Sequence, residues 1–149
     1  MFVDVCVLRP SDRSFDVLCL HRSKTATRAG TWEMVHGRID AGESPVTAAR
    51  RELKEETGLE TDKLYNLSRV ESFYQHREDE IVLIPVFAAI VPKDAIVKLS
   101  EEHDEFAWLA PEGAPRRFAW PRESRAMADA LALLKGGSAG GLEDVLRME

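Results

Sequence analysis

Apolar and polar side chains alternate from the start of the chain, where Phe2-Val-Asp-Val-Cys-Val-Leu opens a strand over Phe2–Arg9. The same period of two, enriched in β-branched and aromatic residues, predicts strands at Phe15–Arg22, around Thr31–Val35, and at Leu64–Gln75, Ile81–Val91 and Glu105–Leu109. Two segments carry helical signals instead. Ser44 suits an N-cap, Pro45 the first helical position, where its missing N–H costs nothing, and Gly58 a left-handed stop. Between them Ala48, Ala49 and Leu53 supply an apolar face. A second helix is predicted over Arg122–Lys135, with Ala126, Met127, Ala130, Leu131, Leu133 and Leu134 as its apolar stripe. Strands that precede, separate and follow two helices predict an α/β layered domain with a mixed sheet.

At 149 residues the chain suits one domain with a real core. That domain is expected over residues 1–135, followed by a linker and tail over 136–149. Gly136-Gly-Ser-Ala-Gly-Gly141 has the composition of a flexible linker, and Leu142–Glu149 reads as a disordered tail rather than a docked short helix. A net charge of −6 argues against a broad nucleic-acid footprint. The longest apolar run, Ile81–Val91, is interrupted by Pro85 and too short to span a bilayer, so no membrane partner is expected. No signal-peptide pattern precedes the first strand, which makes the cytoplasm the expected location. In that reducing setting Cys6 and Cys19 are expected as buried free thiols rather than a disulfide. Monomer and homodimer both remain open.

The candidate chemistry lies on the first helix. Glu52, Glu55 and Glu56 stand at i, i+3 and i+4, on one side and within a turn. Carboxylates so close repel one another, and the arrangement makes sense if hard cations sit among them. Mg²⁺ is typically held by a few carboxylates, waters and substrate phosphates. Glu43 lies just before the helix, where the loop from Gly37 can fold it back, and Arg51 can pair with one acid and hold it in place. A solvated helix face compensated by Arg51 and Lys54 is the ordinary alternative.

The segment Gly37–Leu59 fills every fixed position of the Nudix box. The box runs Gly, five residues, Glu, seven residues, Arg-Glu-aliphatic, one residue, Glu-Glu, one residue, Gly-aliphatic. Gly37, Glu43, Arg51, Glu52, Leu53, Glu55, Glu56, Gly58 and Leu59 fill it in order. With a background of roughly 5–7% per identity, a chance match is on the order of 10⁻⁸ or less per start position. The chain therefore resembles the Nudix hydrolases. That resemblance implies an α/β/α sandwich with the box as loop–helix–loop. It also implies Mg²⁺-dependent (or Mn²⁺-dependent) hydrolysis of a phosphoanhydride in a nucleoside triphosphate or another nucleoside-diphosphate-linked compound. Metal would activate a water for attack on phosphorus, with a small nucleotide or nucleotide-like molecule as partner.

The resemblance also implies roles. Glu52 and Glu56 are expected as principal metal ligands, with Glu55 or Glu102 as further ligand or base. The Gly37 carbonyl is a ligand in relatives, Arg51 orients the carboxylates, and Glu43 is structural in the site. Glu102 enters because Glu102-His103-Asp-Glu-Phe-Ala-Trp108-Leu109 resembles a downstream family segment whose loop acid approaches the metals. Together with Trp120 and a following helix, that segment resembles the dihydroneopterin triphosphate and dATP pyrophosphohydrolase branch. Arg22, ending the second strand, is a candidate phosphate contact. Val35-His36-Gly37 departs from the commoner Pro-Gly-Gly, so His36 is a candidate to project into the cleft and bear on substrate choice. Trp32 either packs in the core or borders that cleft. Dinucleoside polyphosphate or ADP-ribose hydrolysis, and nucleotide sensing without turnover, are the alternative functions. A calcium loop is not among them, for no Asp-x-Asp-x-Asp-Gly ligand run is present.

Overall fold

Eight strands and three α-helices make up residues 1–149 of the computed structural model. In chain order they are β1 (Phe2–Pro10), β2 (Phe15–Arg22), β3 (Trp32–Glu33), β4 (Val35–Arg38), α1 (Pro45–Thr57), β5 (Lys63–Gln75), β6 (Glu80–Ile90), β7 (His103–Leu109), α2 (Pro121–Leu133), α3 (Glu143–Leu146) and β8 (Arg147–Met148). They form one mixed sheet in the order β3-β2-β1-β6-β5-β8, with β4 also on β1 and β7 on β2. Every ladder is antiparallel except β1–β6.

Successive side chains of β1 feed two cores. Val3, Val5 and Val7 pack with Ala48, Ala49 and Leu53 of α1, whereas Cys6 and Leu8 pack with Ala126, Met127 and Ala130 of α2. The sheet is covered on both faces, which is why β1 is buried almost throughout rather than on alternate residues. The result is the expected α/β/α sandwich. Both cysteines are buried free thiols, and burial pushes Cys19 up to about 12 and Cys6 up further, so neither is a thiolate at neutral pH.

The α1 boundaries follow from their caps. Ser44 Oγ accepts from the Thr47 N–H at 3.1 Å. Gly58 closes the helix at φ 68°, its N–H donating to the Lys54 carbonyl at 2.8 Å. Around Thr31–Val35 the expected single strand is two, because β3 pairs with β2 while β4 crosses to the first half of β1. Met34, at the crossing, donates its N–H to the Glu123 carboxylate at 2.8 Å instead of to a ladder.

The expected flexible linker and disordered tail are corrected by the structure. Ala139 and Leu146 join the larger core, β8 pairs with β5 (Leu64 opposite Met148), and Tyr65 Oη donates to Glu143 at 2.9 Å. The glycines serve as turns here, with Gly136, Gly137 and Gly140 all at positive φ, and they fold the chain back onto an otherwise open strand edge. No helix is long and apolar enough to cross a membrane.

Candidate active site

Gly37 on β4 and Glu52 on α1 touch so closely that a Cβ at position 37 would lie 1.8 Å from Glu52 Cδ. Only glycine lets the Glu52 side chain lie this close to the strand at the point where the box glutamates begin. Arg51 then organises the acids. Its Nε and Nη2 donate to the two Glu43 carboxylate oxygens at 3.0 and 2.8 Å, a bidentate pair. Nη1 donates to Glu52 at 2.7 Å and to Glu55 at 3.2 Å, and Nη2 also donates to the Arg38 carbonyl at 2.8 Å. Hydrogen bonding to Arg51 holds Glu43 below the usual carboxylate range.

Glu52 and Glu56 are held the other way. Burial, reinforced by neighbouring carboxylates, raises Glu52, and burial with repulsion from Glu33, Glu52 and Glu102 raises Glu56 well above its ordinary value. Glu56 Oε2 is buried with no hydrogen-bond partner. No three His, Cys, Asp or Glu side chains form a ready-made ligand set, and Arg51 stands among the acids instead. The donor chemistry nevertheless fits a hard divalent cation: clustered carboxylate oxygens, one of them orphaned in the interior, beside a backbone that admits no side chain.

Glu102, in the loop before β7, is mostly exposed and lies 3.1 Å from Arg22 Nη2. Two expectations are corrected here. Arg22 is buried, its Nη1 donating to Glu33 at 2.8 Å, so it is an internal ion-pair partner and not an open phosphate contact. His36 does not project into a cleft. Its ring is buried, bonded through Nδ1 to Asp4 at 2.6 Å and stacked on Phe2 at 5.0 Å. Strand alternation turns it to the α2 face, where Arg122 also donates to Asp4 at 3.0 Å. Trp32 is partly buried against the larger core, under the Arg117 guanidinium at 4.8 Å.

Sequence reasoning missed Glu33 and His103. Glu33 is 1% exposed, contacts Arg22, Arg28 at 3.2 Å and His103 at 3.5 Å, and is held below the usual range by His103 and the arginines against the opposing effect of burial. A carboxylate inside the apolar run Trp32-Glu-Met-Val35 was the available signal.

A loop–helix–loop of carboxylates on a doubly covered mixed sheet defines a class, and the relatives agree. The NUDIX domain family model matches residues 2–130. Nucleoside triphosphatase NudI of Escherichia coli is 30% identical over 115 residues, spanning 72% of this chain and 81% of that protein. Octanoyltransferase of Myxococcus xanthus is 38% identical over 114 residues, but these span only 30% of its length. A NUDIX hydrolase structure from Listeria monocytogenes superposes with a TM-score of 0.78 at 24% identity, covering 100% of this chain and 99% of that one. The chain belongs to the Nudix hydrolase family.

Proposed function

We propose that this protein hydrolyses a phosphoanhydride bond of a nucleoside triphosphate with Mg²⁺, or Mn²⁺ in its place. The observation that carries the reading is the Arg51 fork holding Glu52 and Glu55, with Glu52 against Gly37 and Glu56 Oε2 on the same helix buried and unpartnered. The choice of a nucleoside triphosphate rests on the likeness to NudI. Bound Mg²⁺ would neutralise charge on the phosphates and activate the attacking water.

In this reading Glu52 and Glu56 hold the cation, aided by the Gly37 carbonyl. Glu55 and Glu102 are the more exposed acids and face solvent, which suits a further ligand or the base. Arg51 Nη1 bridges Glu52 and Glu55 and offsets their repulsion, and Glu43 anchors Arg51. Part-exposed Phe2 and Phe73, on β1 and β5 with ring centroids 6.3 Å apart, offer flat apolar surface to a base. A small soluble nucleotide in the cytoplasm is the partner this implies.

The test is a panel of nucleoside triphosphates, pterin triphosphate, dinucleoside polyphosphates and ADP-ribose, incubated with Mg²⁺ and resolved by chromatography of products. Pyrophosphate release from a triphosphate is the expected result. If Glu55→Gln and Glu56→Gln both turned over at the wild-type rate, the assignment of these carboxylates would be wrong.

A further inference from the structure

Six buried side-chain atoms lack a hydrogen-bond partner, and they belong to five residues: Arg22, Glu33, Glu56, Ser100 and His103. These five are joined by direct contacts. Arg22 meets Glu33 at 2.8 Å, His103 meets Glu33 at 3.5 Å, His103 donates its N–H to the Ser100 carbonyl at 3.3 Å, and Ser100 donates its N–H to the Glu56 carbonyl at 3.2 Å. They form a polar chain that runs from Arg22 to the box glutamate Glu56. Native proteins leave few such atoms unpaired, and functional sites are one place where they persist.

We infer that Glu33 is a positioning residue that acts through Arg22 to fix the Glu102 carboxylate beside the box glutamates, an inference that rests on the proposed hydrolysis. Glu33 is 1% exposed on the short edge strand β3 and has no surface with which to reach a substrate. Its carboxylate holds one end of the Arg22 fork, and the other end, Nη2, reaches Glu102 at 3.1 Å. The backbone agrees with this arrangement. Ser23 N–H donates to the Glu102 carbonyl at 2.9 Å, and Ser23 Oγ donates to the Glu101 carbonyl at 3.0 Å. The β2–β7 register shifts at His21/Arg22, which turns the Arg22 side chain under the loop. A planar guanidinium between a buried and an exposed carboxylate transmits the position of the first to the second, as a flexible ammonium would not.

The test joins kinetics to amide exchange. Glu33→Gln, Glu102→Gln and the double variant are assayed with Mg²⁺ and the best triphosphate. Each single change is expected to lower kcat by about tenfold to a hundredfold, the usual effect of losing an outer support of a metal site. KM should stay within about twofold, and the double variant should be no slower than Glu102→Gln, because the two act in series. Losses that multiply, or a raised KM with kcat intact, would overturn the inference. In metal-free protein, the amides of Glu102 and His103 should exchange about tenfold faster in Glu33→Gln, with β1 and β6 unchanged. Unchanged exchange in the loop also overturns it. Should Glu33→Gln fail to fold, Arg22→Lys is put to the same two readouts, with the same expected and refuting results. A wild-type protein that cleaves no phosphoanhydride defeats the proposed function instead, and the exchange comparison still decides this inference.

Discussion

A methyl group at position 37 would sit 1.8 Å from Glu52 Cδ and 2.1 Å from its Oε1. Since non-bonded carbons come no closer than about 3.5 Å without strain, Gly37→Ala must drive that carboxylate back by roughly 1.7 Å. The displaced group is the end of a flexible side chain, so the fold can accommodate it. The structural loss is the Arg51–Glu52 bond of 2.7 Å and some rotamer strain. Partial exposure of Arg51 discounts the ion pair, leaving about 1–2 kcal/mol of destabilisation. Function has no such slack, because Mg²⁺ demands ligands at about 2.1 Å and tolerates little distortion. A misplacement of this size is expected to lower kcat at least about a hundredfold. Urea unfolding and steady-state hydrolysis with Mg²⁺ measure the two effects side by side. An alanine variant that kept wild-type kcat would show that Glu52 does not hold the cation from beside Gly37. One that unfolded would show that Glu52 cannot swing away.

Leu146→Ala should cost about 2–3 kcal/mol, because Leu146 is 6% exposed within the larger core, and an unchanged urea midpoint would return the tail to a peripheral role. Ser44→Ala should lose about 1 kcal/mol through the orphaned Thr47 N–H, read as a lower melting temperature with kcat nearly unchanged. Burial pushes Glu123 up to about 8 from its ordinary 4.5, so its stabilising share is complete below pH 4.5 and drains away as pH rises through 8. In chelator-treated protein, Glu123→Gln should therefore flatten the fall in stability between pH 5 and pH 8, and an unaltered slope in denaturant midpoints would refute that assignment.

Much of the fold was legible because its signals are short-range. Ser44, Pro45 and Gly58 act within one helical turn of the backbone they cap, and α1 begins and ends where they stand. The strand periods likewise located β1, β2, β5, β6 and β7 to within two residues, since alternation is a property of neighbouring positions. The box glutamates were found together for the same reason: helix geometry alone brings Glu52, Glu55 and Glu56 to one side.

Arg22 and His36 were misread because their partners lie across the fold. Arg22 is spent on Glu33 in the adjoining strand and on Glu102, 80 positions away by sequence number, and His36 on Asp4. Which face of β4 carries His36 depends on pairing with β1, a register that alternation leaves undetermined until the strands meet. The tail was misread because glycine composition reports freedom of the unfolded chain, not whether a strand edge and an apolar seat await it. By itself, then, the sequence determined the family, the carboxylate helix and the two-sided sheet, all written in local spacing. Only the tertiary structure decided which charges are buried against one another, because burial and pairing are properties of residues that folding alone makes neighbours.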